Sequence, residues 1–279
     1  MRRFVFIILL LTVLKVVAQI EVKGTQFYEN GVPWRVMGVN LTTSQCDKDV
    51  FRELTTFGWN SVRVAPTSIK QLKHYLKLAK QEQLKLCVKC TPAFPLESIK
   101  AFKDNKCIWA WEVENIDDAT TIRDKCPNHL VTISTTTNLQ SLDIALMNQN
   151  IDFLSIQLTP LEFKWVSPTS LFHGLRNCYV KSTEILESIE RRMSLKPKPL
   201  IVSSCAYPRD KMFRLPESYT SLRDSYFLFL INYKSTISQF QLGGMYFDKW
   251  ESLPNGETTT QQSPLSIYPT DSLTQKILF

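Results

Sequence analysis

The sequence predicts an α/β fold, a single (β/α)8 TIM barrel with an N-terminal hairpin, from three observations. Short apolar runs alternate with longer helix-period segments eight times along the chain. No proline- or glycine-rich linker and no low-complexity tract divides the series. No glycine-rich turn of the kind with which an open doubly wound sheet holds a dinucleotide follows the first barrel strand, so a closed barrel without a cofactor is expected.

The chain opens on Met1-Arg2-Arg3, continues as an apolar run from Phe4 to Leu14 broken only by Thr12, and reaches Ala18 through Lys15-Val16-Val17. A cationic start, a short apolar core and a small residue mark a secretory leader, and the run falls short of the roughly 20 apolar residues that span a bilayer. Residues 1–18 are therefore expected to be a cleaved signal peptide and 19–279 the barrel. The mature chain is expected to be secreted and to meet a membrane only through its leader.

Residues 22–34, turned by Glu29-Asn30-Gly31, read as a hairpin that plugs the bottom of the barrel. The barrel strands follow at 35–39, 61–64, 84–88, 107–112, 130–134, 153–158, 199–202 and 244–247. Helices are expected at 47–57, 68–83, 179–194 and 222–233, with a short closing helix after Pro269. The segment 68–83 places Leu72, Tyr75, Leu76 and Ala79 on one face at helical spacing.

The 279 residues carry a formal charge of +7, which falls to +4 once Arg2, Arg3 and Lys15 leave with the leader. The excess is mild and spread out, and no basic block points to nucleic acid. All seven cysteines (Cys46, Cys87, Cys90, Cys107, Cys126, Cys178 and Cys205) lie beyond the leader, an odd number for a fully paired secreted chain. Cys87 and Cys90 form a C-x-x-C inside a strand-like run with no partner motif. They read as core thiols, and no metal is expected. Asn40-Leu41-Thr42 is a glycosylation sequon, relevant only in a eukaryotic secretory pathway.

In a barrel, chemistry belongs at the C-terminal ends of the strands. Those ends carry Asn40, then Asn60-Ser-Val-Arg63-Val, then Trp109-Ala-Trp-Glu-Val-Glu-Asn-Ile-Asp-Asp118. Further on stand Lys198-Pro-Leu-Ile-Val-Ser-Ser-Cys-Ala-Tyr-Pro-Arg-Asp210 and Gly243-Gly-Met-Tyr-Phe-Asp-Lys-Trp250. With Phe27-Tyr-Glu-Asn-Gly-Val-Pro33, Gly58-Trp-Asn, Leu222-Arg-Asp224 and Tyr268-Pro-Thr-Asp-Ser272, the chain resembles the endo-β-1,4-mannanase branch of glycoside hydrolase family 5. The resemblance runs over nearly the whole mature chain. Each piece is weak alone, and specificity comes from their order on successive barrel elements.

The resemblance implies two catalytic glutamates, and both are replaced. The general acid/base should follow Asn115, where Ile116 stands, and the nucleophile position on the seventh strand holds Ser204. The His-x-Tyr of the sixth strand is Gln157 and Thr159, and the eighth-strand tryptophan aligns with Asp248, Trp250 lying two residues on. Retaining hydrolysis requires two carboxyl groups about 5–5.5 Å apart, which isoleucine and serine cannot supply. No histidine is placed to activate Ser204: His74 and His129 fall on outer helices or bottom loops, and His173 in the loop after the sixth strand.

Catalytic residues are thus expected to be absent. The leading expectation is a secreted pseudoenzyme that binds a β-linked polysaccharide or oligosaccharide, such as mannan, through Arg63, Asn115, Trp165 and Trp250. Arg63 reads equally as a clamp on barrel carboxylates, and both tryptophans equally as packing under the long loops. A second reading is an active glycanase that uses relocated carboxylates, Glu114 or Asp117 facing Asp248 at the wider spacing of an inverting pair. A third is a protein-interaction module whose cleft has collapsed onto Ile116, Cys205 and Thr159.

Overall fold

The computed structural model describes residues 19–135, 139–167, 169–209, 220–235, 240–248, 250–252 and 265–278. The expected leader, 1–18, lies outside the described residues. Three short strands, β1 (Ile20–Lys23), β2 (Gln26–Glu29) and β3 (Val32–Trp34), form an antiparallel sheet in chain order. The turn between β2 and β3 places both Asn30 (φ 53°) and Gly31 (φ 80°) in the left-handed region. Asparagine and glycine tolerate that conformation, and it matches the twist of a two-residue hairpin loop.

Eight parallel strands close the barrel: β4 (Val36–Leu41), β5 (Ser61–Val64), β6 (Lys85–Lys89), β7 (Ile108–Val113), β8 (Leu130–Ser134), β9 (Phe153–Leu158), β10 (Leu200–Cys205) and β11 (Gly244–Phe247). They pair in sequence order, and β11 returns to β4 with Gly244 opposite Val36 and Phe247 opposite Val39. A side chain at Gly244 would place its Cβ 2.1 Å from the Val36 carbonyl oxygen, so the closing seam admits only glycine there. All six residues of β7 are buried, as expected of a strand covered on both faces.

The helices follow the sequence with shifts at their ends. Asp47 caps α1 (Lys48–Thr56) by accepting from the amides of Asp49 and Val50, and Ser68 caps α2 (Ile69–Gln81) by accepting from Gln71. The sequence pattern places both residues at the first helical position, and they stand one step outside it as caps. The β6–β7 connection carries only a 3-10 turn, Leu96–Phe102. Helix α3 (Ile116–Lys125), not anticipated, begins directly after β7, and α4 (Leu139–Met147) precedes β9. Helix α5 (Leu171–Met193) begins eight residues earlier than the expected Tyr179 and takes in His173. Helices α6 (Ser221–Ile231) and α7 (Ser272–Leu278) complete the ring.

The bottom of the barrel is filled by aromatic rings. Phe27 of the plug stands edge-on to Trp109 (5.4 Å between centroids) and Phe153 (5.2 Å), which stack on each other at 5.1 Å. The indole N–H of Trp109 donates to the Tyr246 hydroxyl at 3.0 Å, leaving this polar atom satisfied in the interior. Outside the barrel, Asp271 accepts from Arg209 at 2.7 and 2.8 Å and from Arg223 at 2.9 Å, all three buried. Thr274 joins Arg223 to Asp224 through its hydroxyl. This cluster ties the end of β10 and helix α6 to the start of α7.

Candidate functional site

Five strands deliver polar side chains to the C-terminal mouth of the barrel, and the structure links them into one chain of hydrogen bonds. Arg63, at the end of β5, grips the fully buried Glu112 of β7 with two bonds, Nε to Oε2 and Nη2 to Oε1, each 2.6 Å. Its third nitrogen, Nη1, donates to Asn40 Oδ1 on β4 at 3.1 Å. The Asn40 amide donates in turn to the Ser203 carbonyl at 3.0 Å and to Asp248 Oδ1, just after β11. Ser204 Oγ, from β10, donates to the other carboxylate oxygen, Oδ2.

This arrangement fixes the electrostatics. Burial alone would lower the proton affinity of Arg63, but the Glu112 carboxylate beside it outweighs that and holds the guanidinium charged. Burial pushes the Asp248 carboxyl above the usual carboxylate range and the charge of Glu162 adds to it. The bonds from Asn40 and Ser204 and the charge of Arg63 act the other way without cancelling it. Glu162 accepts from the Thr159 hydroxyl at 2.9 Å, just past β9.

The sequence-predicted residues divide between this network and other places. Arg63, Ser204 and Asp248 come together. Asn115 does not join them: it is exposed, and it caps helix α3 by accepting from the Asp118 amide at 2.9 Å and donating to the Asp118 carboxylate at 2.6 Å. Ile116 is the first residue of that helix and packs half-buried against the core. Glu114 is ion-paired with Lys89 at 3.1 Å, and Asp117 is an exposed residue of the first helical turn. Asp248, their partner in the expected inverting pair, is held by Asn40 and Ser204.

Trp250 corrects the expectation of a stacking platform. It is fully buried, packed 5.5 Å from Phe57 and 6.0 Å from Trp59 between ring centroids, and its N–H donates to Glu53 at 2.9 Å. A ring so fully enclosed offers no surface to a sugar. Trp165 is half-buried and pairs with Phe163 at 5.0 Å in the segment between β9 and α5. The Asn40 sequon also changes meaning, because a glycan on its amide nitrogen would displace the bonds to Asp248 and Ser203.

Asn40, Glu112 and Glu162 are the mouth residues that sequence reasoning passed over. Glu112 stood in plain view inside Ala110-Trp-Glu112 and Asn40 at the end of the first barrel strand. Only their convergence with Arg63 was hidden. The described residues contain no cluster of three or more histidine, cysteine, aspartate or glutamate side chains able to hold a metal ion.

No protein-family model and no curated protein matches the chain. Among solved structures it is similar to a β-glucuronidase from Ruminococcus gnavus in complex with D-glucuronic acid, with a TM-score of 0.64, 10% identity, and coverage of 94% of this chain and 52% of that one. It is also similar to the GH2 β-galacturonidase from Eisenbergiella tayi bound to galacturonate, with a TM-score of 0.57, 12% identity, and coverage of 83% and 47%. The chain spans about half the length of these structures. At such identities the likeness is one of fold alone, the closed (β/α)8 barrel.

Proposed function

We propose that this protein is a secreted, non-catalytic relative of the β-mannanase-like glycosidases that binds a β-linked glycan at its barrel mouth. The observation that carries the reading is the engagement of both oxygens of Asp248, one by Asn40 and one by Ser204, the residue that the resemblance aligns with the nucleophile. Glu112 is likewise consumed by Arg63, and Glu114 by Lys89. A general acid needs a free carboxyl aimed at the leaving oxygen, and a nucleophile needs a free carboxylate aimed at the anomeric carbon. Asp248, Glu112 and Glu114 are instead each held by neighbouring side chains.

Glycan binding rests on the fold shared with enzymes whose structures hold uronic acids and on the half-buried Phe163–Trp165 pair, whose faces suit a pyranose ring. Arg63 serves here as a clamp for Glu112 rather than as a ligand contact. The test is reducing-sugar release from β-mannan by the purified protein, alongside affinity electrophoresis in the same polysaccharide, with Asp248→Asn as control. Retardation without release supports the proposal. Release abolished by Asp248→Asn would overturn it in favour of a rebuilt carboxylate pair.

A second reading has an observation of its own. Cys205 and Thr159 are buried and Ile116 packs against the core, as a collapsed cleft requires. Absence of both retardation and release, repeated with a β-glucuronide polymer, would favour this protein-interaction reading.

A further inference from the structure

The opposite end of the barrel holds a cavity of about 380 Å³ with no part in the mouth network. It opens beside the plug sheet, where Ile20 of β1 faces Ile108 and Trp109 at the start of β7. These three side chains make the inner wall apolar, and all are buried. His129 adds a neutral surface. Its Nδ1 accepts from Trp111 at 2.9 Å, its Nε2 faces the Asn105 carbonyl at 3.1 Å, and burial lowers its proton affinity.

The rim has a different character. Lys85, Lys103 and Lys106 line it, with Asp104 the one acidic side chain and the amides of Asn105, Asn128 and Gln19 between them. Lys85 is held by Glu29 at 2.9 Å. Lys103 and Lys106 are exposed and have no ion-pair partner among the described residues, so the rim keeps a surplus of positive charge. A second hollow of about 360 Å³ shares Lys85 and Lys106 and adds Lys80, which extends the basic surface around the foot of β6.

We propose that this cavity binds a small anion with an apolar body, a medium-chain or aromatic carboxylate. The body would lie on Ile20, Ile108 and Trp109, and the carboxylate would meet Lys103 and Lys106. The volume falls in the range of small-molecule sites, and an apolar wall with a few convergent polar groups at one side is their usual composition. The walls come from β1, the start of β6, the loop before β7, β7 itself and the turn before β8. A neutral ligand would gain nothing from the rim, and a fully polar anion nothing from the wall.

The test uses 8-anilinonaphthalene-1-sulfonate, which carries an aromatic body and one negative charge, titrated into the purified protein and followed by fluorescence. The expected result is saturable binding at one site per chain, weakened by salt and displaced by decanoate. The Lys103→Glu, Lys106→Glu double variant, altered only at exposed positions, should bind roughly tenfold more weakly with an unchanged unfolding midpoint. Asn128→Trp, which fills the cavity from its exposed side, should abolish binding. Unchanged affinity in both variants, or equally tight binding of uncharged N-phenyl-1-naphthylamine, would overturn the proposal.

Discussion

Arg63 and Glu112 face each other across β6, joined by two parallel hydrogen bonds of 2.6 Å, with Glu112 wholly enclosed and Arg63 only 12% exposed. Paired charges in so dry a place stabilise little over an apolar substitute, but either one alone is costly. Arg63→Ala or Glu112→Ala should therefore destabilise the fold by about 3–5 kcal/mol, and Arg63→Met with Glu112→Leu should recover much of that loss. Urea unfolding measures all three. Single variants as stable as the parent would show that water reaches the pair.

The Asp271 cluster makes stability depend on acid. Burial by itself would raise the Asp271 carboxyl, but the Arg209 hydrogen bonds, the Arg223 charge and the Tyr268 amide outweigh it and hold it below the usual range. A depressed folded value means a contribution fully present above the unfolded value, near pH 4, and lost as pH falls through the folded one. Asp271→Asn should cost the most at neutral pH and progressively less below about pH 4, read from unfolding free energies across pH. A cost that does not change with pH would contradict this.

The thiols should divide sharply. Burial pushes Cys46 and Cys178 up to about 12 and Cys126 to about 11, so almost no thiolate is present near neutrality. All seven cysteines are unpaired, and Cys107 alone among them is not buried. Labelling of the native protein with a thiol reagent at pH 8 should therefore modify Cys107 first and by a wide margin, and denaturant should release the rest. Mass spectrometry of the labelled peptides identifies the site.

Trp250 offers the test that separates packing from recognition. Trp250→Ala opens a large hole beside Phe57 and Trp59 and leaves Glu53 with Ser252 but without the indole N–H, which should cost about 3–5 kcal/mol. Trp165→Ala should cost far less stability yet reduce glycan retention in affinity electrophoresis. The reverse pattern would return Trp250 to the binding surface.

The barrel was legible because its strands are short apolar runs with clear ends. Residues 130–134, 153–158 and 244–247 match the structure at both limits, and Asp47 and Ser68 announce their helices as side-chain caps. Helix α3 escaped because Asn115-Ile-Asp-Asp sits against a strand end, where the resemblance to a catalytic loop outweighed an ordinary N-cap signal. The start of α5 escaped because Ser170 makes no side-chain cap and Gly174 weakens the helical pattern. At the mouth, residue types were readable but partnership was not. An arginine, an asparagine and two acids far apart in sequence do not reveal which of them meet, and a tryptophan after a strand reads alike as platform or packing until its burial is known.

The seam between β4 and β11 bears on how the protein is made. The Asn40–Asp248 bond spans 208 residues, and the plug residue Phe27 rests against Phe153 from the middle of the chain. The first barrel strand to emerge during synthesis therefore has one of its two neighbours among the last, so its free edge stays uncovered until nearly the whole chain is available, and the plug waits for the middle of the chain. Loop closure over such a distance slows folding and leaves apolar edges open to other chains meanwhile. Production of this protein should accordingly be limited by aggregation of nascent or truncated chains, and a C-terminal truncation that removes β11 should yield an insoluble product rather than a smaller barrel.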